Sequence, residues 1–275
     1  MEQLHTDSLW YEDHLRIAKT LYIQPAFCKG KAKSEAIDSH AWAVFSPLRD
    51  LAARGLSISE KLSSPHAISY MKFGVIRRTK AIWYAYRDII DIARIDRIEP
   101  LNRDDELDAV NRGINLIYLH LKGTLDNLAW CLVHENHACF ALEKNKNKID
   151  LFHKDFPKEA FKSEDLSKEI EKHKQWWDDA KGRRDPAAHR IPLYIVPTFL
   201  SDNDQERLQN QFYQNIKTDR ADEFFHKTEA IGTFYPCIML RDKTEEFIDL
   251  YPTLPEDMAH LIEIFSLCEK ALVQD

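Results

Sequence analysis

At 275 residues, 44% hydrophobic and with a net charge of −7, the chain has material for one large core, and its charge excludes a protein that coats nucleic acid through bulk electrostatics. Seven glycines, with no GxGxxG or GKS/GKT among them, exclude the Gly-rich loops of dinucleotide and P-loop nucleotide sites. Five scattered cysteines without a CxxC pair suit reduced thiols, no apolar run approaches the ~18 residues of a membrane span, and Met1-Glu2-Gln3-Leu4-His5 has neither the basic region nor the apolar core of a signal peptide, so a soluble cytoplasmic protein with no membrane contact is expected.

Residues 1–65 read as accessory packing, with helical patches around Tyr11–Leu21 and Ile37–Leu56 broken at Pro25, Gly30, Pro47 and Gly55. Ser64-Pro65 then opens a long helix over roughly His66–Ile98, because Ile68, Met71, Val75, Ile82, Ile89 and Ala93 recur at three, four or seven residues, and Pro100 ends it. Its other side carries Arg77, Lys80, Tyr84, Arg87 and Arg94 near one face. That face is either a stripe for a nucleic-acid backbone with a stacking aromatic, or a solvated surface balanced by Asp88, Asp91 and Asp96.

A second helix is predicted from about Asp104 to Ala141, since Val110, Ile114, Ile117, Leu121, Leu125, Leu128 and Leu132 keep an unbroken three-four spacing. Beside this stripe His120, Thr124, Asn127, Cys131 and His134 form a polar edge. It either faces a site, with Asn127 as a supporting residue, or hydrogen-bonds to its neighbours as a seam. Cys131, His134, His137 and Cys139 are metal-ligand types, but at about 100° per residue they spread over about 0°, 300°, 240° and 80°, more than one ion reaches from a single helix. His134-Glu135-Asn136-His137 is not HExxH, and no metal site or cofactor is expected.

After the polar loop Glu143–Asp150, a third helix follows Ser163, with Leu166, Ile170, Trp177 and Ala180 as its buried face, and leads into Gly182-Arg183-Arg184-Asp185-Pro186-Ala187-Ala188-His189-Arg190-Ile191-Pro192. Asp185 before Pro186 reads as an N-cap followed by proline at the first helical position, so a short new helix opens there and stops at Pro192. Arg184 and His189 then flank a helix start, where a phosphate meets free backbone N–H groups, a guanidinium and an imidazole. Beyond it the pattern changes to strands at Leu193–Phe199, Thr233–Leu240 and Glu246–Tyr251, the last two separated by Arg241-Asp242-Lys243-Thr244, with Pro197 and Pro236 suiting edge positions. Asn203–Ile231 reads as a helix of mixed charge, and Glu256–Leu272 as an amphipathic helix burying Met258, Leu261, Ile262, Phe265, Cys268 and Leu272. The fold class is mainly α, a helical bundle with a small C-terminal antiparallel β-sheet. Its parts are accessory helices (1–65), the bundle (66–195) and C-terminal helices and sheet (196–275) packed on it as one compact domain.

Arg184 and His189 are the only Arg-x-x-x-x-His pair in the chain; Arg220 and His226 miss by one residue, with Ala221 after the arginine. With a polar residue directly after the arginine, this motif resembles the signature of the HEPN superfamily, helical proteins that include many prokaryotic metal-independent RNases. The resemblance covers roughly residues 66–195. Two departures are aspartate in place of the commoner asparagine at 185, and Pro186 interrupting what is often a continuous helix. It implies a HEPN-like bundle and a homodimer that joins two copies of the motif. It implies endonuclease action on single-stranded RNA, with an antitoxin partner in a toxin–antitoxin or anti-phage defence setting. By the same resemblance His189 shuttles protons, Arg184 stabilises the transition state, and Asp185 caps the helix and orients a neighbour. Arg183 and Arg190 beside the motif, and Asn127 on the polar edge, are the candidate substrate-binding residues. Two alternatives stand beside it: a HEPN-like module that binds RNA, a nucleotide or a protein without turnover, and a purely structural Arg184–Asp185 ion pair at a helix junction.

Overall fold

Leu48, Leu51 and Ile58 recur on one face and are fully buried, and they lie in a single helix, α1 (Lys31–Lys61), that runs through Pro47 and Gly55 instead of breaking there. An interior proline costs about 3 kcal/mol, whereas burial of each large aliphatic side chain returns about 1.5–3 kcal/mol, so the apolar face wins. Gly55 serves close packing: a Cβ there would lie 2.8 Å from Ile76. The computed structural model describes residues 31–101, 103–136, 146–189, 192–216, 231–240 and 246–273; the expected patch Tyr11–Leu21 lies outside them. The described chain is mainly helical with a small three-stranded antiparallel sheet. It divides into two compact units, one from 31–42, 88–113 and 193–254, the other from 43–87, 114–192 and 255–273.

The expected 66–98 helix begins where predicted, with the Ser64 hydroxyl accepting from the Ala67 N–H. It continues as α2 (Pro65–Ser69), a π-helical segment (Tyr70–Val75) and α3 (Ile76–Ile92). It ends at Ile92 rather than Ile98, because Arg97 folds back and donates to the Ile92 carbonyl at 2.9 Å while pairing with Glu106 at 2.7 Å. The second long helix is α4 (Asp104–Glu135), opened by Asp104, Asp105 and Glu106 in agreement with the helix dipole. At its far end Glu135 accepts from the Ser63 and Ser64 N–H groups (2.8 and 3.0 Å), so the last turn of α4 caps the first turn of α2. The predicted extension to Ala141 lies outside the described residues.

α5 (Phe156–Ala160) is followed by α6 (Glu164–Lys172), capped by Ser163 as its sequence requires, with the hydroxyl accepting from the Leu166 N–H. The predicted single helix stops at Lys172; His173 links it to α7 (Lys174–His189). α8 (Asp202–Ile216) starts near the predicted point, and 217–230 lie outside the described residues.

The sheet is shorter than its apolar runs suggest. β1 (Tyr194–Ile195) pairs with β2 (Cys237–Leu240), which pairs with β3 (Glu246–Asp249), in register Ile195↔Ile238↔Ile248. Pro197 and Pro236 have no N–H to donate and bound the ladder, which resumes only as the isolated bridge Phe199↔Thr233 beside Gly232 at φ +99°. The unit closes around the Asn111 side chain, which accepts from the Ile195 N–H at 2.8 Å, and around the Leu101 N–H donating to Pro197. α9 (Leu250–Val273) ends the chain with Leu261, Ile264, Phe265 and Cys268 buried.

The reading of α1 as a core helix is testable by urea unfolding. Leu51→Ala, at a fully buried site, should cost about 2–5 kcal/mol, and Leu56→Ala, at a position 50% exposed on the same helix, should stay within about 0.5 kcal/mol.

Candidate functional site

The helix that carries the Arg-His motif does not restart at Asp185. α7 passes through Pro186, so the expected N-cap, the new short helix and the free N–H groups for a phosphate at 186–188 are not formed. Burial of Pro186, with Trp177 and Ala180 on the inner side of the same helix, holds the segment helical against the local cap signal.

A continuous helix sets the phase of each motif residue. Trp176 and Arg183, seven apart, share the inward face and converge on Asp257 of α9, whose side chain is 2% exposed. Asp257 Oδ1 accepts from Trp176 Nε1 at 2.8 Å and Arg183 Nη2 at 2.7 Å, and Oδ2 accepts from the Tyr118 hydroxyl at 2.7 Å. Arg183 also lies over the Tyr118 ring, 5.5 Å from its centroid. Burial raises the Tyr118 pKa well above its ordinary value, so its hydroxyl is a neutral donor; burial opposes the Arg183 charge, but the Asp257 carboxylate beside it outweighs that and its pKa is raised. Expected as a substrate contact, Arg183 therefore directs its guanidinium into the protein.

Arg184, about 100° further round, is partly exposed (25%) and donates to Asp185 at 3.0 Å, the local ion pair that the structural alternative describes. His189 closes the helix; its side chain and Arg190 lie outside the described residues. On one unbroken helix positions 184 and 189 are about 140° and about 7.5 Å apart, while 185 and 189 share a face.

Asn127 does not join this group. On α4 it lies about 180° round from Tyr118, and its amide sits over Gly74 in the π segment, where an added Cβ would come within 2.5 Å of it. The remaining polar-edge residues turn toward α2 and α3 likewise. His120 Nδ1 meets Arg78 at 3.1 Å, and Thr124 donates to the His120 carbonyl. Cys131 donates to the Ala67 carbonyl, and its burial raises the thiol pKa to well above the ordinary value. His134 stacks with Trp130 and Tyr70 at 5.3 and 5.4 Å and meets the His66 ring in a tilted contact at 5.2 Å. The edge is a helix–helix seam. Of the rejected zinc set, Cys131 and His134 are thus separately engaged, and His137 and Cys139 lie outside the described residues.

The basic stripe keeps exposed rings: Phe73 (61% exposed) under Arg77 at 4.9 Å, and Tyr84 (47%) under Arg87 at 5.2 Å. Arg94 is bound to Asp96. Sequence reading missed one cluster, in which His173 Nδ1 lies 2.8 Å from His260 Nδ1 and Glu263 lies 3.9 Å from His173 Nε2. The i, i+3 spacing of His260 and Glu263 was its only sequence signal, since His173 is distant in the chain.

No protein-family model, curated protein or solved structure matches the chain.

The two adjacent arginines should differ in denaturant titrations. Arg183→Ala leaves a buried carboxylate without its cation and should cost about 3–5 kcal/mol, and Arg184→Ala, which leaves no buried carboxylate behind, should cost less.

Proposed function

We propose that the chain is a HEPN-like, metal-independent endoribonuclease of the cytoplasm that cuts single-stranded RNA as a two-fold dimer, in a toxin–antitoxin or anti-phage setting. The observation that carries this reading is the contrast between neighbours on α7: Arg183 is committed to the interior, while Arg184 stays at the surface in an ion pair with Asp185. Such a pair is worth about 0–1 kcal/mol, less than the charge-assisted bidentate contact a guanidinium makes with a phosphate, so RNA can displace Asp185. The continuity of α7 through Pro186 removes one of the two departures from the HEPN pattern. No helix among the described residues is long and apolar enough to cross a membrane.

One copy of the motif is an incomplete catalyst, because positions 184 and 189 point about 140° apart on the helix. Two copies related by two-fold symmetry supply a base and an acid. His189 of one copy takes the 2′-OH proton as the 2′ oxygen attacks phosphorus, Arg184 stabilises the charge building on the non-bridging oxygens, and the second His189 protonates the departing 5′ oxygen. The products are a 2′,3′-cyclic phosphate and a 5′-OH. Asp185, on the face of position 189, orients the imidazole.

A second reading, binding of RNA without turnover, is favoured by the Phe73–Arg77 and Tyr84–Arg87 pairs, each a ring for base stacking beside a cation for the backbone. Purified protein in EDTA decides between them. Under the nuclease reading it cleaves single-stranded RNA to 2′,3′-cyclic phosphate ends, and His189→Ala lowers the rate about 10²- to 10⁴-fold. Arg220→Ala and His226→Ala, the near-miss pair, leave it unchanged. RNA binding with no cleavage supports the second reading, and full activity in the His189 variant removes the site. Light scattering should give a dimer, with a cysteine-free variant carrying Ala188→Cys cross-linking between copies; monomer at tens of micromolar contradicts the two-fold mechanism.

A further inference from the structure

We propose that His173, His260 and Glu263 form a binding site for a divalent transition-metal ion of the zinc class. His173 occupies the link between α6 and α7, and His260 and Glu263 lie one turn apart on α9, so three ligands are presented from two directions. One ligand atom from each lies within 4.8 Å of the others. The two Nδ1 atoms are 2.8 Å apart, a contact in which one ring donates and the other accepts, so a single proton lies between two ring nitrogens that point at one another. A tetrahedral ion held at about 2.0–2.1 Å from each nitrogen needs them about 3.3 Å apart, so it replaces that proton as the rings part by roughly half an ångström and tilt toward a common point.

The surroundings suit a metal better than a buried proton. His173 is nearly enclosed, with its side chain 10% exposed, whereas Glu263 is 48% exposed and has room to rotate onto an ion. The solvent side at Glu263 gives an entry path and water for a fourth position. Burial keeps both rings neutral, the form that binds metal, with His173 held down to about 4 by burial and by His260. Trp176 stacks on His260 at 4.7 Å, and its indole is itself fixed by Asp257, so the His260 ring is held in orientation before any ion arrives. Two imidazoles and one carboxylate select zinc-class ions over magnesium or calcium, which take oxygen ligands. The ion joins α9 to the α6–α7 link and is independent of the RNA-cleavage reading, which routes no step through it.

The test uses the full, untagged chain, stripped with EDTA and desalted, and equilibrium dialysis against micromolar Zn²⁺. One ion should be taken up per chain, with a rise in Tm that grows with Zn²⁺ concentration, and Mg²⁺ should give neither effect. Glu263→Gln, at an exposed position that leaves the fold intact by far-UV circular dichroism, and His260→Gln should each weaken uptake at least about tenfold, the lower end of what loss of even an outer partner costs. His66→Gln, an exposed histidine elsewhere, should leave it unchanged. Absence of saturable uptake, or uptake in both the Glu263 and His260 variants as tight as in the unaltered chain, would overturn the site. All of these readouts are separate from RNA cleavage.

Discussion

A carboxylate removed from water has to be met by donors on every side, and Asp257 is the place where this chain meets that demand. Its two oxygens receive Tyr118 from α4, and Trp176 and Arg183 from α7, three donors contributed by two helices to an acid on a third. Hydrophobic packing is tolerant of small rotations, but a buried ion pair is not, because an uncompensated charge in the interior costs several kcal/mol. The pair therefore fixes the rotational setting of α7. Once Arg183 is turned inward, Arg184 is carried about 100° away toward solvent.

Polar contacts elsewhere in the unit act on helix ends, where backbone groups lack partners. Glu135 caps α2 across the seam with α4, and Ser163 caps α6 locally. Along the seam the helices approach closely at two glycines. Gly74 sits beneath Asn127 and Gly123 beneath Arg78, in both cases with a side chain where a Cβ would otherwise be. The π-helical turn falls at Gly74, so the irregular stretch of the long helix coincides with one of these close approaches.

What could be read from the sequence was what is encoded locally. The three-four spacing from Val110 to Leu132 gives α4 because each of those residues needs the same buried side, and Ser163 announces α6 because its hydroxyl serves an N–H three residues on. Pro47 and Asp185-Pro186 misled for one shared reason: local breaker and cap signals are worth a few kcal/mol at most, and burial of Leu48 and Leu51, or of Trp177, Ala180 and Pro186, outweighs them. Pro197 follows an edge strand, β1, as its residue type suggested, whereas Pro236 precedes the central β2, and both shorten the ladder. The motif residues were legible as residue types, but their directions were not. Whether Arg183 or Arg184 faces out depends on Asp257, 74 residues later in the chain, and His173 meets a partner 87 residues away.

The consequence is that Arg183 and Arg184 are not interchangeable, and that Arg184 owes its partial exposure to its neighbour's burial. The claim on which this rests is that Arg183 and Asp257 are energetically coupled. A double-mutant cycle with Arg183→Met, Asp257→Leu and the combined variant, followed by urea unfolding, measures that coupling. The buried pair predicts that the double variant loses less than the sum of the two single losses, by a coupling energy of about 1–3 kcal/mol. Strict additivity of the two single losses would contradict it.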